Sequence, residues 1–427
     1  GSTMTGIRNT VVGSSAGSTA LGTLTETTYI GAGAGSHASG ASCVYVGYGA
    51  GATTNASVES TAVGHGALRT VTGSYNTAIG KGVLGDGTGG GASNTGVGAR
   101  ALQGVSTGNQ NTGLGKAALQ FVTTQSNNTG VGMQAGYKTT TSYNTYVGAL
   151  AGEKLAGGSG GNTLVGYGAG RGDSDLFSGS YNTVMGAYTL GDNSLRDTSK
   201  NVHIGYKAAY EALSVTDNVV IGYQAAYNDE TGDQNVHIGY EAAYYADDVD
   251  QNVVIGYKAR YNATAGAGSI AIGYYAGRYP EGTYNTFVGH EAGSGTTATR
   301  TAHTNVGVGR ESLKNITSGY QNVAMGNYAG TDVTSGFDTV FIGYQAGQNF
   351  TTGRDSVFIG TQAGQSVVAQ HTHGRYVMIG MGAGNSSTGS SGYATYIGFN
   401  AAYNDKSTTS HHTAIGCLLY TSDAADE

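Results

Sequence analysis

The sequence has little charge, no tryptophan and one proline, Pro280, among its 427 residues. Only 11% of the residues are charged, which is unlike an ordinary globular enzyme and typical of a turn-rich stacked β-protein. No apolar run approaches the roughly 20 residues of a membrane helix, and no basic-then-apolar start indicates a secretion signal. The net charge of −7, without clustered Lys and Arg in the sequence, does not suit a nucleic-acid backbone. We therefore expect no membrane insertion and no nucleic-acid partner.

Cysteine is also scarce, since Cys43 and Cys417 are the only two. Cys417 opens the last eleven residues, 417–427, which break the pattern described below and resemble translated sequencing-adapter DNA. Without those residues a single cysteine remains, so we expect no disulfide framework within the chain. Residues 1–8 precede the pattern, and we interpret them as a vector-derived scar or the start of a fragment. The predicted organisation is one repeat array over 9–416 between these two segments.

Glycine is abundant, and much of it belongs to an internal repeat. An aliphatic residue or Met is followed by glycine 24 times, at spacings of 16 to 20 residues and most often 17. Ala usually stands three places after this glycine, and Asn stands four places before it in 15 copies. A repeat this dense predicts one structural unit per copy and no separate catalytic domain.

Each copy has the pattern of a short strand followed by a bend. In Asn201-Val-His-Ile-Gly-Tyr-Lys-Ala-Ala-Tyr210 the residues before the glycine alternate as a strand does, and turn-forming residues fill the return. Glycine suits the bend because it accepts backbone angles that a Cβ forbids. We expect a second short segment to end near the Ala. Stacking of equivalent strands then predicts an all-β fold, a parallel β-solenoid (β-roll) of about 24 coils with one coil per repeat of about 17 residues.

The residue before the glycine is Val, Ile, Leu or Met in all 24 copies, and we expect it to point into the core. The Thr or Val two places earlier and the Ala after the glycine are the other inward candidates. The Asn residues are expected to stack into a hydrogen-bonded ladder, as in cross-β arrays. The structural ladder predicted from four evenly spaced copies comprises Asn201, Asn218, Asn235, Asn252, Ile204, Ile221, Ile238, Ile255, Gly205, Gly222, Gly239 and Gly256.

A single coil of this kind has a small core. Burying a Val or Ile is worth roughly 1.5–3 kcal/mol, whereas ordering each residue of the coil costs about 1–2 kcal/mol for the backbone alone. Packing against copies of itself would bury more apolar surface. We therefore expect a homotrimer, with the chains intertwined or side by side about the long axis.

Two segments carry a family resemblance. Ser269-Ile-Ala-Ile-Gly-Tyr-Tyr-Ala-Gly277 and Asn76-Thr-Ala-Ile-Gly-Lys-Gly-Val-Leu84 resemble the Ser-Val-Ala-Ile-Gly-x-x-Ala repeats of YadA-type trimeric autotransporter adhesin heads. The same motif, led by Asn-Thr and followed by a longer loop, is similar to repeats in the tail fibres of marine bacteriophages. The resemblance covers residues 9–416. It implies a left-handed β-roll within a trimer and a place on a virion or on a bacterial surface.

Tyrosines form the first candidate binding surface. Rows of exposed aromatic rings can stack on sugar rings or form an adhesive surface. The alternative is that the rings stack on one another and stabilise the solenoid or a chain–chain interface. The residues that follow the glycine in five successive copies are Tyr206, Tyr223, Tyr240, Tyr257 and Tyr274.

Histidine offers few metal ligands. His371 and His373 form a His-x-His pair in a long loop, and three chains would supply six imidazoles if that loop lay on a three-fold axis. A solvated loop is the simpler interpretation, so the sequence predicts no metal site and no cofactor. His203 and His237 stand two coils apart, too far for one metal ion to bridge within a chain, and we interpret them as structural.

No constellation in the repeat predicts catalysis. Calcium-binding β-roll motifs, phosphate loops, Ser-His-Asp sets and recurring carboxylate pairs are all missing from the motif. We therefore expect a structural and adhesive fibre shaft rather than an enzyme, most simply a phage tail fibre that recognises a cell-surface glycan or protein receptor. The alternatives are a bacterial trimeric adhesin head and an ice-binding solenoid. Ice binding needs a regular Thr column, and here Thr gives way to Val at Val202, Val219, Val236 and Val253.

Overall fold

The computed structural model describes residues 6–19, 24–54, 57–172, 178–191, 197–245, 249–262, 265–279, 282–295, 301–367, 374–387, 393–406 and 411–417. The chain divides into two compact units, Gly1–Asp217 and Asn218–Glu427. The regular elements of the described residues are all strands, with no helix among them, which confirms the all-β prediction. It follows that none of these residues lies in a helix that could span a bilayer.

Short strands recur once per repeat in both units. The first unit contains β1 (Thr10–Val12), β2 (Thr28–Ile30), β3 (Val44–Val46), β4 (Thr61–Val63), β5 (Thr77–Ile79), β6 (Thr95–Val97), β7 (Thr112–Leu114), β8 (Thr129–Val131), β9 (Thr145–Val147), β10 (Thr163–Val165), β11 (Ser178–Ser180), β12 (Thr183–Met185), β13 (Asp197–Ser199) and β14 (Val202–Ile204). The second contains β15 (Val219–Ile221), β16 (Val236–Ile238), β17 (Val253–Ile255), β18 (Ile270–Ile272), β19 (Thr286–Val288), β20 (Val306–Val308), β21 (Val323–Met325), β22 (Val340–Ile342), β23 (Val357–Ile359), β24 (Arg375–Ile379), β25 (Tyr393–Ile397) and β26 (His412–Ile415).

Within each unit every repeat strand pairs in parallel with the equivalent strand of the next coil. The register is that of the repeat: Val236 pairs with Val253, and Ile238 pairs with Ile255. In the first unit β10 pairs with β12 and β12 pairs with β14. The strands β11 and β13 lie in the longer loops between these repeat strands and pair with each other in a separate parallel sheet. Each unit is therefore a parallel β-solenoid, as the repeat predicts.

The strands alternate as expected, but their two faces are the reverse of our expectation. In β17 Val254 is buried, whereas Val253 and Ile255 on either side of it are partly exposed. The residue before the glycine points outward throughout, as Ile79 does with 41% of its surface exposed. The prediction that this column and the Thr or Val column fill the core is wrong. Because a strand has a period of two, a shift of one residue exchanges the core face for the outer face.

The core is built mainly from four positions of each coil: two before the glycine and three, four and seven after it, the last as in Val333. The Ala three places after the glycine is buried, as predicted, in every described coil but the first. The position two before the glycine and the position four after it compensate in volume. Where the strand residue is Tyr45, the fourth residue after the glycine is Gly51, and where the strand residue is Gly113, the fourth is Leu119. A Cβ on Gly51 would lie 2.4 Å from the Tyr45 ring, so only glycine fits there.

The repeat glycine is required at the bend. Its φ lies between +119° and +147° in all 24 copies, a region that residues with a Cβ avoid. The coils also approach each other closely there, since a Cβ on Gly239 would lie 2.4 Å from the carbonyl oxygen of Gly256. The expectation that glycine is needed for its backbone angles is confirmed, and the closeness of the next coil is a second reason for it.

The Asn ladder is also present. Asn128 Oδ1 accepts a hydrogen bond from the backbone N–H of Asn144 at 3.0 Å and another from its side-chain amide at 3.1 Å. The amide of Asn201 bonds Asn182 Oδ1 at 3.1 Å and the carbonyl of Val215 at 2.8 Å. These buried amides thus satisfy the strand and the return loop at the same time.

The second short segment, which follows the glycine and runs to the Ala, is a turn. In the coil of β17 both Lys258 and Arg260 have positive φ, of 49° and 45°. Hydrogen bonds still link the coils there, because Lys258 donates its N–H to the carbonyl of Tyr240 at 2.9 Å and Arg260 donates to Ala276 at 2.9 Å. Alternating left-handed residues thus turn the chain without breaking the contact between coils.

Candidate functional site

Four of the five predicted tyrosines form a single stacked row in the second unit. Ring centroids of Tyr223, Tyr240, Tyr257 and Tyr274 are separated by 5.1 to 5.2 Å, with interplanar angles of 5° to 10°. The imidazole of His290 lies on Tyr274 at 4.9 Å and continues the row. The one-coil register of the solenoid produces this arrangement, because the residue after each glycine repeats at the spacing of parallel strands.

The stacking decides which part of each ring is accessible. Only 40% to 43% of each of these four tyrosines is exposed, since each interior ring has a neighbour on both faces. Sugar stacking needs an open ring face, whereas this row presents ring edges and hydroxyl groups. The geometry therefore supports the alternative interpretation, in which the rings stabilise adjacent coils, and it leaves the hydroxyl edge as the surface that a ligand could contact.

A second tyrosine row runs beside the first. Tyr227, Tyr244 and Tyr261 stack at centroid distances of 5.0 and 5.2 Å. Burial raises the pKa of Tyr244 to about 12, so its phenol stays protonated at neutral pH. Lys258 Nζ lies 4.8 Å from the centroid of the Tyr261 ring, a cation–π contact.

Lys258 also links this surface to Glu241 of the preceding coil. Its Nζ lies 3.1 Å from Glu241 Oε2, within ion-pairing distance. Hydrogen bonding to Glu241 raises the pKa of Tyr240, because the phenolate would face a carboxylate. The surface between the two rows therefore carries the phenols of Tyr240 and Tyr244 and the ion pair of Lys258 with Glu241.

The fifth predicted tyrosine, Tyr206, belongs to the first unit. Its ring meets Tyr188 edge-on at a centroid distance of 6.4 Å, and Lys207 Nζ lies 5.8 Å from its centroid. About 41% of Tyr206 is exposed. Its contacts with Tyr188 and Lys207 are of the same stabilising kind as those of the second unit.

The outward side of the strands forms a second candidate surface, which we call the aliphatic face. It consists of the residues three and one before each repeat glycine. In the second unit the column three before the glycine is mostly Val and the column one before it is Val, Ile or Met, as in Val323 and Met325 of β21. Met325 is 46% exposed and Ile342 of the next coil is 37% exposed. Two in-register apolar columns are thus open to contact, with no polar side chain between them on that side of the strand.

Threonine replaces valine in one column over part of the first unit. Eight consecutive coils, from β4 to β10 and then β12, place Thr three before the glycine, and all eight are paired in register. Their outward position was not anticipated, since we expected that column to face the core. The residues are Thr61, Thr77, Thr95, Thr112, Thr129, Thr145, Thr163 and Thr183.

The predicted ladder residues fall into three columns of different burial. Asn201, Asn218, Asn235 and Asn252 are buried. The second and third columns are partly exposed and consist of Ile204, Ile221, Ile238 and Ile255, which point outward, and Gly205, Gly222, Gly239 and Gly256 at the bend. The ladder is therefore ordered as predicted within each unit, although the isoleucines occupy the outer face.

Of the two histidine pairs singled out in the sequence, the structure describes one. His371 and His373 lie outside the described residues. His203 and His237 are fully buried in the core position of β14 and β16. Across the described ranges no group of three or more His, Cys, Asp or Glu side chains is placed to hold a metal ion. Cys43 is a buried free thiol.

No protein-family model matches the chain, and no curated protein is significantly similar to it.

Proposed function

We propose that this chain is the shaft of a trimeric adhesive fibre, most simply a bacteriophage tail fibre that takes part in recognition of the host receptor. The observation that carries the proposal is the aliphatic face. A chain that keeps Val, Ile, Leu or Met before every repeat glycine, and points these residues outward, keeps an apolar surface where water would otherwise favour polar residues. Covering that surface by other copies of the same chain explains its persistence.

The repeat makes such self-association geometrically simple. Every coil presents an outward aliphatic residue or Met one place before the glycine, at the same spacing, so three copies about a common axis would bring equivalent rows together along the strand ladder. Each buried Val or Ile would contribute roughly 1.5–3 kcal/mol. Contributions of this size, repeated in coil after coil, would add to the small core of the single chain. Such a shaft belongs on a virion or another extracellular surface and needs no cofactor and no catalytic site.

The mass in solution tests the proposal. Light scattering coupled to size exclusion should give about three times the 43.0 kDa of one chain. Replacing Ile238 by Lys, and Ile255 by Lys beside it, places two charges on the aliphatic face and should shift the mass toward that of a single chain. The control is Gln251→Lys, which reproduces Lys200 at the equivalent exposed position of another coil, also with positive φ. A folded monomer for the unaltered chain would overturn the trimer, and an unchanged trimer of the Lys variant would overturn the aliphatic face as its interface.

A bacterial trimeric adhesin head is the alternative within the same class, and the aliphatic face supports it equally. The genomic sequence that flanks this coding region distinguishes the two. A membrane-anchoring β-barrel downstream favours the adhesin, and a receptor-binding tip or folding chaperone favours the fibre.

Ice binding is a second candidate function, and the in-register Thr column of the first unit favours it. Eight threonines repeat one coil apart, about 4.8 Å, on an outward face. Thermal hysteresis measured on the chain and on a Thr129→Lys, Thr145→Lys variant would decide it. Hysteresis that the substitutions abolish would support ice binding, and its absence from the unaltered chain would exclude it.

A further inference from the structure

A groove crosses four coils of the first unit and is distinct from both surfaces above. Its floor consists of Gly49, Gly66 and Gly82, each two places after the repeat glycine of its coil. Their φ values are +62°, +64° and +66°, and a Cβ on any of them would meet no atom within 4 Å. The following coil has Arg100 at this position with nearly the same φ, 62°. The floor is therefore open because side chains are missing, and this leaves a volume of about 220 Å³.

The walls of this glycine-floored groove are cationic. Lys81 and Arg100 line it, and no carboxylate of the described residues lies within ion-pairing distance of either. Arg69 also lines it, and its guanidinium is 3.4 Å from Asp86 Oδ1. Asp86 is the one carboxylate in the lining, and it also accepts a hydrogen bond from the Gln103 amide. Three cations against one carboxylate give the groove a positive charge in a chain whose net charge is −7.

One aromatic ring in the groove keeps an open face. Tyr48 stacks on His65 at a centroid distance of 5.1 Å, which covers one side of its ring. The equivalent residue of the preceding coil is Ala32, whose methyl group is too small to cover the other side. Tyr48 is consequently 65% exposed, against 40% to 43% for the four stacked tyrosines of the second unit. This is the arrangement that the predicted tyrosine row lacks.

The backbone holds these groups at fixed spacing. The N–H of Gly66 donates to the carbonyl of Tyr48 at 2.9 Å, that of Gly82 to His65 at 3.0 Å, and that of Arg100 to Lys81 at 2.9 Å. Successive wall residues therefore stand one coil apart, about 4.8 Å. A ligand that meets all of them has to be extended along the solenoid and negatively charged.

We propose that this groove binds an acidic oligosaccharide, one that carries carboxylate or sulfate groups. The free face of Tyr48 would take the apolar face of a sugar ring, while Arg100 and Lys81 would pair with its acidic groups. Hydroxyl groups would reach Gln103 and the open glycine floor. The site rests on the proposed attachment function for its biological role, because an adhesive fibre needs a receptor, but the affinity of the groove does not depend on trimer formation.

Titration calorimetry of the full chain tests this with three probes: a sulfated heparin-derived tetrasaccharide, trigalacturonate and neutral maltotetraose. At low ionic strength at least one acidic probe should bind at least about tenfold more tightly than maltotetraose, and added salt should weaken that binding. Lys81→Ala and Arg100→Ala should each weaken it about tenfold. Tyr48→Ala should also weaken it, whereas Tyr48→Phe should not. Gly66→Asn should block the groove, since Asn tolerates this φ and its side chain would stand on the floor.

Matched controls separate the groove from general charge and folding effects. Lys116→Ala removes the cation that follows the glycine two coils after Lys81, outside the groove, and should leave binding unchanged. Gly168→Asn places the same side chain at a glycine with φ +61° in another coil, and should also leave binding unchanged. Melting midpoints and solution masses of all variants show whether each one folds and assembles.

Four results would overturn the site: no binding of either acidic probe, equal binding of maltotetraose, affinities that the groove variants leave unchanged, or tighter binding of single-stranded DNA at the same residues. A monomeric chain that still binds the acidic probe would reject the trimeric shaft and keep the site. A trimer that binds no probe would reject the site and keep the trimeric shaft.

Discussion

The ring of Phe287 lies against Gly293 of the same coil so closely that a Cβ on Gly293 would come within 2.5 Å of ring atoms Cδ1 and Cε1. Both residues face the core, and Gly293 has a φ of +59°. The next coil reverses the volumes, with Gly307 in the strand and Leu313 at the position of Gly293. Each pair therefore fills roughly the same space in opposite order.

We predict that Gly293→Leu destabilises the protein by overpacking, by about 1–3 kcal/mol. Phe287→Ala alone should cost about 3–5 kcal/mol through the cavity it leaves. The double variant reproduces the Ala78 and Leu84 pair of another coil and should be more stable than the sum of the single effects implies. Urea midpoints of the four proteins measure the coupling. Additive losses would mean that the two positions do not share one space.

The repeat glycine should tolerate no side chain. We expect Gly239→Ala to lower the melting temperature strongly, because its φ of +139° is strained for alanine and the new Cβ would lie 2.4 Å from the Gly256 carbonyl oxygen. Gly168→Ala is the control. Its φ is +61° and the nearest atom to its Cβ is 3.5 Å away, so the cost should be only about 1–2 kcal/mol. Equal melting temperatures for the two variants would contradict the close approach of the coils.

The Asn ladder predicts a difference between two substitutions at one position. Asn128→Ala leaves the N–H of Asn144 without its acceptor and should cost about 1–3 kcal/mol. Asn128→Ser should cost less, because Ser60 holds the equivalent position in another coil and its Oγ accepts the N–H of Asn76 at 3.1 Å. Denaturation midpoints for the two variants provide the test. The ladder would lose its role if Ala and Ser behaved alike.

Buried His203 should make stability depend on pH. Burial lowers its pKa from 6.5 to about 3, and neither ring nitrogen has a hydrogen-bond partner among the described residues. Below pH 6.5 the unfolded chain takes up a proton that the folded chain does not take up until about pH 3. The stability contribution of neutral His203 is therefore complete above pH 6.5 and falls between pH 6.5 and 3, by roughly 1.4 kcal/mol per unit over most of that range.

His203→Val, which copies Val220 and Val254 at the equivalent position, should flatten this part of the pH profile. Melting temperatures measured at several pH values between about 4 and 8 would show this flattening, because that range includes the ordinary histidine pKa of about 6.5. His37→Val, at an exposed histidine, is the control and should leave the slope in place. A profile that His203→Val does not alter would show that His203 titrates normally in the folded chain.

The sequence predicted the solenoid, its period and its register, because one-residue alternation and the 17-residue spacing recur too often to allow another arrangement. It did not identify which face is the core. Ile255 is more constant in type than Val254 across the copies, and constancy of an apolar position ordinarily indicates burial. Here the constant column faces outward and the variable column faces inward.

The inward column varies because its partner varies with it. Gly96 is followed by Leu102 and Tyr146 by Gly152, a correlation that is legible in the sequence once the two positions are compared. The open face of Tyr48 could not be predicted in the same way. It depends on which residue the preceding coil places beside the ring, and that requires the register between coils as well as the repeat itself.

Because the bulky side chain and the glycine that makes room for it lie on the same coil, each coil carries most of its own packing solution. Recombination between neighbouring copies in the gene can therefore add or delete whole coils, and only the contacts between newly adjacent coils, such as that of Leu102 with Gly113, have to be matched again. The length of such a molecule is free to change by single repeats over evolutionary time, while its cross-section stays constant.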